Sequence, residues 1–194
     1  FELTVGPIKV ENVIVASHLA KEVELIKLAT ELPNARYSSS GNPSVIVELD
    51  RTNPKFIGSK RLKAAGIVFG NGKIIITGIA SLEEGKEIMN NLKEMIKNVD
   101  AKINMKRATK VENMVTTANL NQNLDLQNLS AKIPGSEYDP ARFQGLIIRT
   151  NKPLASYILF ETGVTIITDI ISLAKAKKAH NELIKFMTKA KVIS

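Results

Sequence analysis

The chain contains the same sequence pattern twice, and this duplication limits what it can fold into. Residues 9–37 align with residues 110–138 at an offset of 101 positions, and nine of the 29 aligned residues are identical. Residues 69–82 align with residues 160–173 at an offset of 91, with eight of 14 identical. Because a solenoid needs at least three repeats, a long unit present twice predicts two pseudo-symmetric halves that pack together.

The change of offset places an insertion of ten residues in the first half. It lies near residues 50–65, and residues 53–61 have the Gly, Pro and charge content of an exposed loop. We therefore place the domains at residues 1–100 and 101–194. The insertion is interpreted as a tolerated surface loop or, because cations cluster there, as an epitope for a partner. These cations are Arg51, Lys55, Lys60, Arg61 and Lys63.

Hydrophobic periodicity predicts the same order of elements in each half. A strand comes first, at residues 9–19 of the first half, and a short helix follows that ends at Pro33 or, in the second half, at Pro134. Short strands at 35–37 and 136–138 are also consistent with the pattern. The remaining predicted strands are 44–49, 64–70 and 73–79 in the first half and 145–150, 154–161 and 164–171 in the second.

Each half closes with a long amphipathic helix. The first of these begins with a capping box, in which Ser81 accepts a hydrogen bond from the Glu84 N–H and Glu84 reaches back to the N-cap. One apolar helical stripe per half indicates that helices cover one face of a sheet and leave the other face open. Because the strands are apolar on both sides, the open face is a large uncovered apolar surface, which is typical of a binding site.

Composition excludes several classes of site. The chain has no Cys and only two His residues, so a disulfide framework, a thiolate zinc site and a cysteine nucleophile are excluded. Titratable groups do not converge on the open face, so we predict neither an enzyme nor a bound metal or cofactor. No run of eighteen apolar residues is present, and we predict no membrane span.

Charge favours a polyanionic partner, either nucleic acid or an anionic membrane surface. The net charge is +8 and the sequence pI is about 9.6. Residues 1–100 hold 13 basic and 12 acidic residues, a net of +1, whereas residues 101–194 hold 14 and 7, a net of +7.

The regular polar residues of the open face are two asparagines and two threonines at matched positions. These are Asn12 and Thr77 in the first half, and Asn113 and Thr168 in the second. Asparagine is depleted in strands, and here it occurs in mid-strand twice. The repetition favours a functional role over an ordinary edge or turn position.

Several motifs carry a resemblance to a known family. Val-Glu-Asn-Met-Val at residues 111–115, Glu-Tyr-Asp-Pro-Ala-Arg-Phe-Gln-Gly at 137–145 and Ile-Ile-Thr at 166–168 resemble one repeat of the TATA-box-binding protein core. Residues 10–79 carry a weaker copy, and the two-repeat plan extends from about Lys9 to Lys191.

This resemblance implies a fold and a function. The implied fold is α+β, with two pseudo-symmetric repeats forming a saddle-shaped, curved antiparallel sheet that carries helices on its convex face. The implied function is that of a general transcription initiation factor, which binds and bends TATA-type promoter DNA through the minor groove and nucleates preinitiation complex assembly. Implied partners are double-stranded promoter DNA, transcription factor IIB-like and IIA-like factors and the RNA polymerase machinery. The implied compartment is the nucleus, or the cytoplasm in an archaeon.

The resemblance also implies which residues contact DNA. Phe143 and Phe160 match the pair of phenylalanines that each repeat inserts between base steps, and Phe69 matches one member of that pair in the first half. The full set is Asn12, Ile14, Ile67, Phe69, Lys73, Ile75 and Thr77 in the first half, and Asn113, Val115, Phe143, Arg149, Ile158, Phe160, Ile166 and Thr168 in the second.

Some positions depart from the family pattern. The second phenylalanine of the first half is replaced by Asn42, and the counterpart of Arg149 is Glu48. Ala141 stands in the loop where transcription factor IIB docks. These departures keep an alternative open, in which the chain is a related protein-interaction module with weak or no TATA binding. A third interpretation, a small-ligand or lipid-binding domain, explains the apolar face but not the twin asparagines.

We predict that the second half dominates DNA binding, because it has the intact phenylalanine pair and the larger positive charge. Replacing Phe143 and Phe160 with Ala should weaken specific binding far more than Phe69→Ala does. Fluorescence anisotropy with a TATA-containing duplex measures both losses, and comparable losses from the two halves would contradict the prediction.

Overall fold

Residues 6–51 and 63–189 are described by the computed structural model, in which the chain divides into two units. The first unit is Asn12–Glu112, and the second combines Phe1–Glu11 with Asn113–Ser194. Within the described residues, each unit contains a five-stranded antiparallel sheet and two helices. The insertion expected at residues 53–61, with the cations Lys55, Lys60 and Arg61, lies outside the described residues.

The first unit has its strands in the order β2-β3-β4-β5-β1 across the sheet. The part of β1 that belongs to this unit begins at Asn12. The elements are β1 (Lys9–Leu19), α1 (Leu25–Glu31), β2 (Ala35–Ser38), β3 (Ser44–Asp50), β4 (Lys63–Phe69), β5 (Lys73–Ile79) and α2 (Leu82–Val99).

The second unit repeats this arrangement with the order β7-β8-β9-β10-β6. The part of β6 that belongs to this unit begins at Asn113. The elements are β6 (Met105–Asn119), α3 (Leu126–Lys132), β7 (Glu137–Asp139), β8 (Phe143–Asn151), β9 (Leu154–Leu159), β10 (Val164–Ile170) and α4 (Leu173–Lys189). The element order predicted from the sequence is therefore confirmed in both halves.

Side-chain alternation separates a core face from an open face in each sheet. In β1, Val13 and Val15 are fully buried, whereas Asn12 and Ile14 are half-buried. The core face packs against the long helix, whose stripe Ile88, Met89, Leu92 and Ile96 is buried in the first unit. In the second unit Ala176, Ala179, Leu183 and Met187 have this role.

A glycine allows α2 to approach the sheet closely. A Cβ atom on Gly85 would lie 2.7 Å from the Ile79 side chain and 2.8 Å from that of Val15. Only glycine avoids this overlap with the core side chains, so residue 85 fixes the spacing between helix and strands.

The N-terminus of α2 differs from the predicted capping box in one respect. The Ser81 hydroxyl accepts from the Glu84 N–H at 3.1 Å, as expected, but the Glu84 carboxylate accepts from the Ala80 N–H at 2.8 Å rather than from Ser81. The same carboxylate forms a two-pronged ion pair with Arg51, at 2.6 Å to Nε and 3.0 Å to the guanidinium NH2 group. The Arg51 side chain is only 8% exposed and does not belong to an exposed cationic epitope, which corrects the sequence-based grouping.

His180 is buried in the core of the second unit without a polar partner. It is 3% exposed, and neither ring nitrogen has a hydrogen-bond partner among the described residues. Burial lowers the pKa of this imidazole below its ordinary value of 6.5. No helix within the described ranges combines the length and apolar character needed to cross a bilayer.

We predict that His180 makes the second unit sensitive to acid. Its pKa is lower in the folded than in the unfolded state, so the unfolded chain binds the proton first, and stability falls as the pH drops below about 6.5. The His180→Leu variant should lose this part of the pH dependence, measured by denaturant unfolding between neutral and acidic pH. His18→Gln is the control, because His18 is only half-buried and its Nδ1 lies 2.8 Å from the Leu19 carbonyl oxygen. An unchanged pH profile in His180→Leu would refute the assignment.

Candidate nucleic-acid interface

The residues predicted to contact DNA occupy strand positions that alternate with the buried core, or flank those strands. They are half-buried or exposed rather than fully buried, as expected for an open sheet face. In β5, for example, Ile75 and Thr77 are half-buried, while Ile74 and Ile76 have no exposed surface. The predicted set therefore lies on the face of each sheet that the helices leave uncovered.

Isoleucines form a row across each open face. In the first unit Ile67 pairs with Ile75 on one side and with Ile46 on the other. In the second unit Ile158 is paired in the same way, with Ile166 and Ile147. The sequence-based set omitted Ile46 and Ile147. Alternation with buried neighbours in β3 and β8 was the signal that would have found them.

Each asparagine of the open face is held by a strand bulge. In the first unit, the Asn12 Oδ1 accepts from the Gly78 N–H at 2.8 Å, and its Nδ2 donates to the Thr77 hydroxyl at 3.0 Å. The pairing of β1 with β5 shifts register at this point, because three steps in β5 oppose two in β1. The backbone donor fixes which end of the amide is oxygen, so the Nδ2 end faces the threonine and the open surface.

The second unit repeats this arrangement. Asn113 Oδ1 accepts from the Asp169 N–H at 3.0 Å, and Nδ2 donates to the Thr168 hydroxyl at 3.0 Å. The register shift between β10 and β6 falls at the matching place. The two halves share little sequence, yet both place the asparagine Oδ1 against a backbone N–H and the asparagine Nδ2 against a threonine hydroxyl.

The bulge residue itself differs between the units. Gly78 and Asp169 both adopt a left-handed conformation, with φ of 82° and 61°. Glycine has no steric penalty there, and aspartate is one of the few other residues that tolerate it. The Asp169 carboxylate accepts a hydrogen bond from the Ser156 hydroxyl. Ser156 pairs with Thr168, so this carboxylate lies beside the Asn113–Thr168 pair.

The phenylalanine pair lies at one end of the second sheet. The Phe143 and Phe160 rings meet edge to face, with centroids 6.1 Å apart and planes at 71°. Phe143 is 44% exposed, a high value for a large aromatic ring. A Cβ atom on Gly145 would lie 2.6 Å from the Phe143 ring, so glycine at 145 makes room for it.

The matching end of the first sheet lacks this pair. Phe69 is half-buried and pairs with Ser44 across β3 and β4, and Asn42 is exposed before that strand. The broken pair predicted from the sequence therefore corresponds to a real difference between the two sheet ends.

Ion pairs engage both predicted DNA-contacting cations. Lys73 lies 2.7 Å from the Glu112 carboxylate, and Arg149 pairs with Glu137 of the edge strand β7. These are exposed pairs, which contribute little to folding and can exchange for phosphate.

The residue of the first sheet that matches Arg149 is Glu48, and it lies in a corner that contains both acidic and basic side chains. Glu48 is exposed and pairs with Ala65, next to the Asp50–Lys63 pair. The hydrogen bond and the charge of Asp50 raise the pKa of Lys63 above its ordinary value. With Glu48, Asp50 and Lys63, this corner has one acid in excess, whereas Arg149 and Glu137 balance each other in the second sheet.

Among the described residues, no group of three or more His, Cys, Asp or Glu side chains lies close enough together to hold a metal ion.

Comparison with known proteins identifies the family. The family model described as "Transcription factor TFIID (or TATA-binding protein, TBP)" matches residues 7–99 and 108–190. The chain belongs to the TATA-binding protein family. Members of this family are DNA-binding transcription initiation factors, and membership places the chain in that functional class.

Individual relatives agree with this placement. The "TATA-box-binding protein" of Methanothermobacter thermautotrophicus is 29% identical over 170 residues, which cover 88% of each chain. That of Methanosphaera stadtmanae is 30% identical over 161 residues, covering 83% of this chain and 82% of the relative. The solved structure "Methanococcus jannaschii TBP" matches with a TM-score of 0.73 at 29% identity, covering 94% of this chain and 98% of that one. The TATA-binding protein fold class expected from the sequence is confirmed, and the identities show a divergent member.

We predict that Asp169 weakens DNA binding by the second unit. Asp169→Asn removes the charge while the side chain still tolerates the left-handed backbone and still accepts from Ser156. One carboxylate fewer beside a polyanion should tighten binding several-fold at low salt and less at high salt, since salt screens exposed charges beyond roughly 10 Å. The reciprocal change, Gly78→Asp, should weaken binding.

Glu87→Gln is the matched control, because it makes the same charge change on α2, an element of the covered face. Fluorescence anisotropy with a TATA duplex at two salt concentrations gives the comparison. Equal effects of Asp169→Asn and Glu87→Gln would show that only net charge matters.

Proposed function

We propose that the open sheet faces bind A·T-rich promoter DNA through its minor groove and bend it. In this proposal the protein acts as a general initiation factor that recognises TATA-type sites and nucleates the preinitiation complex. The proposal builds on family membership and on the chemistry of the open faces.

The observation that carries the proposal is the pair of asparagine–threonine arrangements. Each amide is oriented by a backbone N–H, and one of its two Nδ2 hydrogens is used by the threonine hydroxyl. The other hydrogen has no protein acceptor among the residues described. Minor-groove edges of A·T pairs offer only the acceptors N3 and O2, whereas G·C pairs place the exocyclic N2 amine in the same space. Fixed donors on an otherwise apolar surface therefore favour A·T pairs.

The apolar members of the face suit the same ligand. The isoleucine rows give a surface that can lie against sugars and base edges without offering competing charges. At the end of the second sheet the Phe143 ring is exposed and contacts Phe160 edge to face, and in this proposal it enters a base step. Such a wedge unstacks the step and kinks the duplex, at a cost of a few kcal/mol that the wider contact offsets.

Charge supports a larger contribution from the second half. Its surplus of basic residues attracts phosphates, and Arg149 exchanges Glu137 for the DNA backbone. In the first half Glu48 occupies the corresponding position, and Asn42 replaces the second wedge.

Partners and compartment follow from the same family. We propose transcription factor IIB-like and IIA-like factors and RNA polymerase as partners of the DNA-bound protein. The relatives named above are archaeal, and in an archaeon the protein would act in the cytoplasm, where the genome lies; in a eukaryote it would act in the nucleus.

The decisive experiment compares a TATA-containing duplex with a G·C-substituted duplex at two salt concentrations. Preferential binding of the TATA duplex, with fluorescence transfer showing a bend, supports the proposal. Binding without sequence preference and without a bend would favour the alternative of a protein-interaction module.

We predict that Asn12 and Asn113 enforce A·T pairs where they contact the site. Asn→Ala at either position should reduce affinity by about 1–3 kcal/mol, and the double variant should relax discrimination against G·C there. Binding-site selection with the double variant provides the measurement. An unchanged A·T preference would mean that DNA shape, rather than these amides, sets the specificity.

The controls separate the amide's two roles. Because Asn12 also caps the Gly78 N–H, Asn12→Ala removes a folding contact as well as a DNA donor. Thr77→Val keeps the amide and its backbone bond but removes the hydroxyl. Thermal unfolding of Asn12→Ala and Thr77→Val measures how much each change destabilises the fold. That loss of stability can then be separated from the loss of the DNA contact.

A further inference from the structure

The second unit contains a cavity on the helix-covered side of its sheet. It has a volume of about 310 Å³ and is lined mainly by apolar side chains from the end of α3, from β8, β9 and the turn between them, and from α4, together with the charged residues Arg149, Lys152 and Glu182. Phe186 of α4 borders it and is 42% exposed, and Leu183 and Tyr157 line its wall. The Tyr157 hydroxyl donates to the Ala179 carbonyl oxygen at 3.1 Å, so the α4 wall is attached to the sheet.

The helix beside this cavity is strongly basic. α4 carries five lysines and one glutamate, a net of +4, whereas the matching helix α2 carries three lysines and four glutamates, a net of −1. At the offset of 91 positions, three glutamates of α2 are replaced by lysines: Glu84 by Lys175, Glu87 by Lys178 and Glu94 by Lys185. Both helices cover a sheet in the same way, so the fold itself does not require this reversal.

The lysines of α4 collect on one side of the helix, next to the cavity. Lys175, Lys178, Lys185 and Lys189 occupy roughly 80° of the circumference at 3.6 residues per turn, and all four are exposed. Phe186 follows Lys175 by eleven residues, or about three turns, and so lies along the same edge. We call these four lysines with Phe186 the α4 flank.

Local interactions do not account for the α4 flank. Lys175 and Lys178 stand near the N-terminus of the helix, where the helix dipole disfavours cations, and the first turn contains no acidic residue. Only Lys185 has an acidic partner on the helix, Glu182 at 3.0 Å, among the described residues. Within the described ranges, the other three lysines therefore have no ion pair.

We propose that the α4 flank and its cavity dock an acidic peptide segment of a protein partner, with one large apolar side chain of that segment inserted beside Phe186. The lysines complement carboxylates along the segment, and the cavity accepts the apolar anchor. The flank is about 21 Å long, which seven extended residues or four helical turns would cover. The site lies on the covered side of the sheet. Of its lining residues, Arg149 also belongs to the DNA-binding proposal, so the test variants leave Arg149 unchanged.

The apolar cavity favours a peptide over a nucleic acid. A sugar–phosphate backbone would satisfy the lysines but would leave the cavity and the exposed Phe186 ring unoccupied. A peptide supplies both chemistries, since hydrophobic anchors in pockets provide most of the affinity in such complexes and charges provide orientation.

The test uses three fluorescein-labelled probes with the full-length protein. The first is a synthetic peptide of Asp, Glu, Ser and Gly residues around one central Phe, the second has Ala in place of that Phe, and the third is a single-stranded oligonucleotide of equal charge. We expect the Phe peptide to bind about tenfold more tightly than the Ala peptide, as is typical for a buried aromatic anchor.

Two variants locate the binding site. Phe186→Ala and the double change Lys175→Glu with Lys178→Glu should each weaken binding of the Phe peptide about tenfold at low salt. The matched control, Lys86→Glu with Lys93→Glu in α2, makes the same charge change in the other unit and should leave the binding unchanged. Circular dichroism verifies folding, which exposed substitutions to a good helix former should preserve.

The outcomes are distinguishable from those of the DNA-binding proposal. Loss of peptide binding with TATA-duplex binding equal to that of the α2 control supports the inference. Absent peptide binding, equal binding of the Phe and Ala peptides, equal losses in the α2 control, or tighter binding of the oligonucleotide that is lost in the α4 variants would overturn it. A protein that fails to bind the TATA duplex but still binds the Phe peptide through α4 would refute only the DNA-binding proposal.

Discussion

A backbone N–H at a strand bulge, donating to an asparagine side-chain oxygen, determines the chemistry of each open sheet face. The bulge turns that N–H towards the surface, and the asparagine accepts from it. The amide is then fixed with its nitrogen towards a threonine and the open surface. Without this bond either end of the Asn12 amide could face the ligand, whereas in the second unit the Met114 N–H, which donates to Asn113 Oδ1 at 2.8 Å, also fixes the orientation. Orientation by the backbone gives the face defined donors in an apolar setting, which the acceptor-only edges of A·T pairs match.

The two units share this arrangement but differ in charge and in aromatic residues. The second unit has the phenylalanine pair and Arg149, while the first has Asn42 and Glu48 at the matching positions. The second unit also carries Asp169 where the first has Gly78, which places a carboxylate next to its donor pair. The second unit is therefore not the better DNA-binding surface in every respect, because it carries more positive charge but also has an acidic residue at its bulge. The helices are asymmetric as well, with a basic α4 and a slightly acidic α2.

Most of the fold could be predicted from the sequence because each hydrophobic pattern occurs twice, at matched positions of the two halves. A stripe such as Leu25, Leu28 and Leu32 is weak alone, but it recurs at matched positions before a second proline. Alternation within the strands identified Thr77 and Phe69 as open-face residues. The same rule, applied to β3 and β8, would have placed Ile46 and Ile147 on the open face as well. That they lie beside Ile67 and Ile158 comes only from the register of β3 with β4 and of β8 with β9.

The sequence by itself determined the element order and the two faces of each sheet, because these follow from local periodicity and from the repeat. Its motifs also carried the family resemblance, and the resemblance implied the candidate residues. Tertiary structure alone decided which polar groups meet. Arg51 appeared to belong to an exposed cationic loop, yet it forms a buried pair with Glu84, which is 33 positions away. Asp169 lies one residue after Thr168, but only the bulge brings its carboxylate to Ser156. Such contacts join residues distant in sequence, and pairing between strands and packing of helices, rather than any local preference, bring them together.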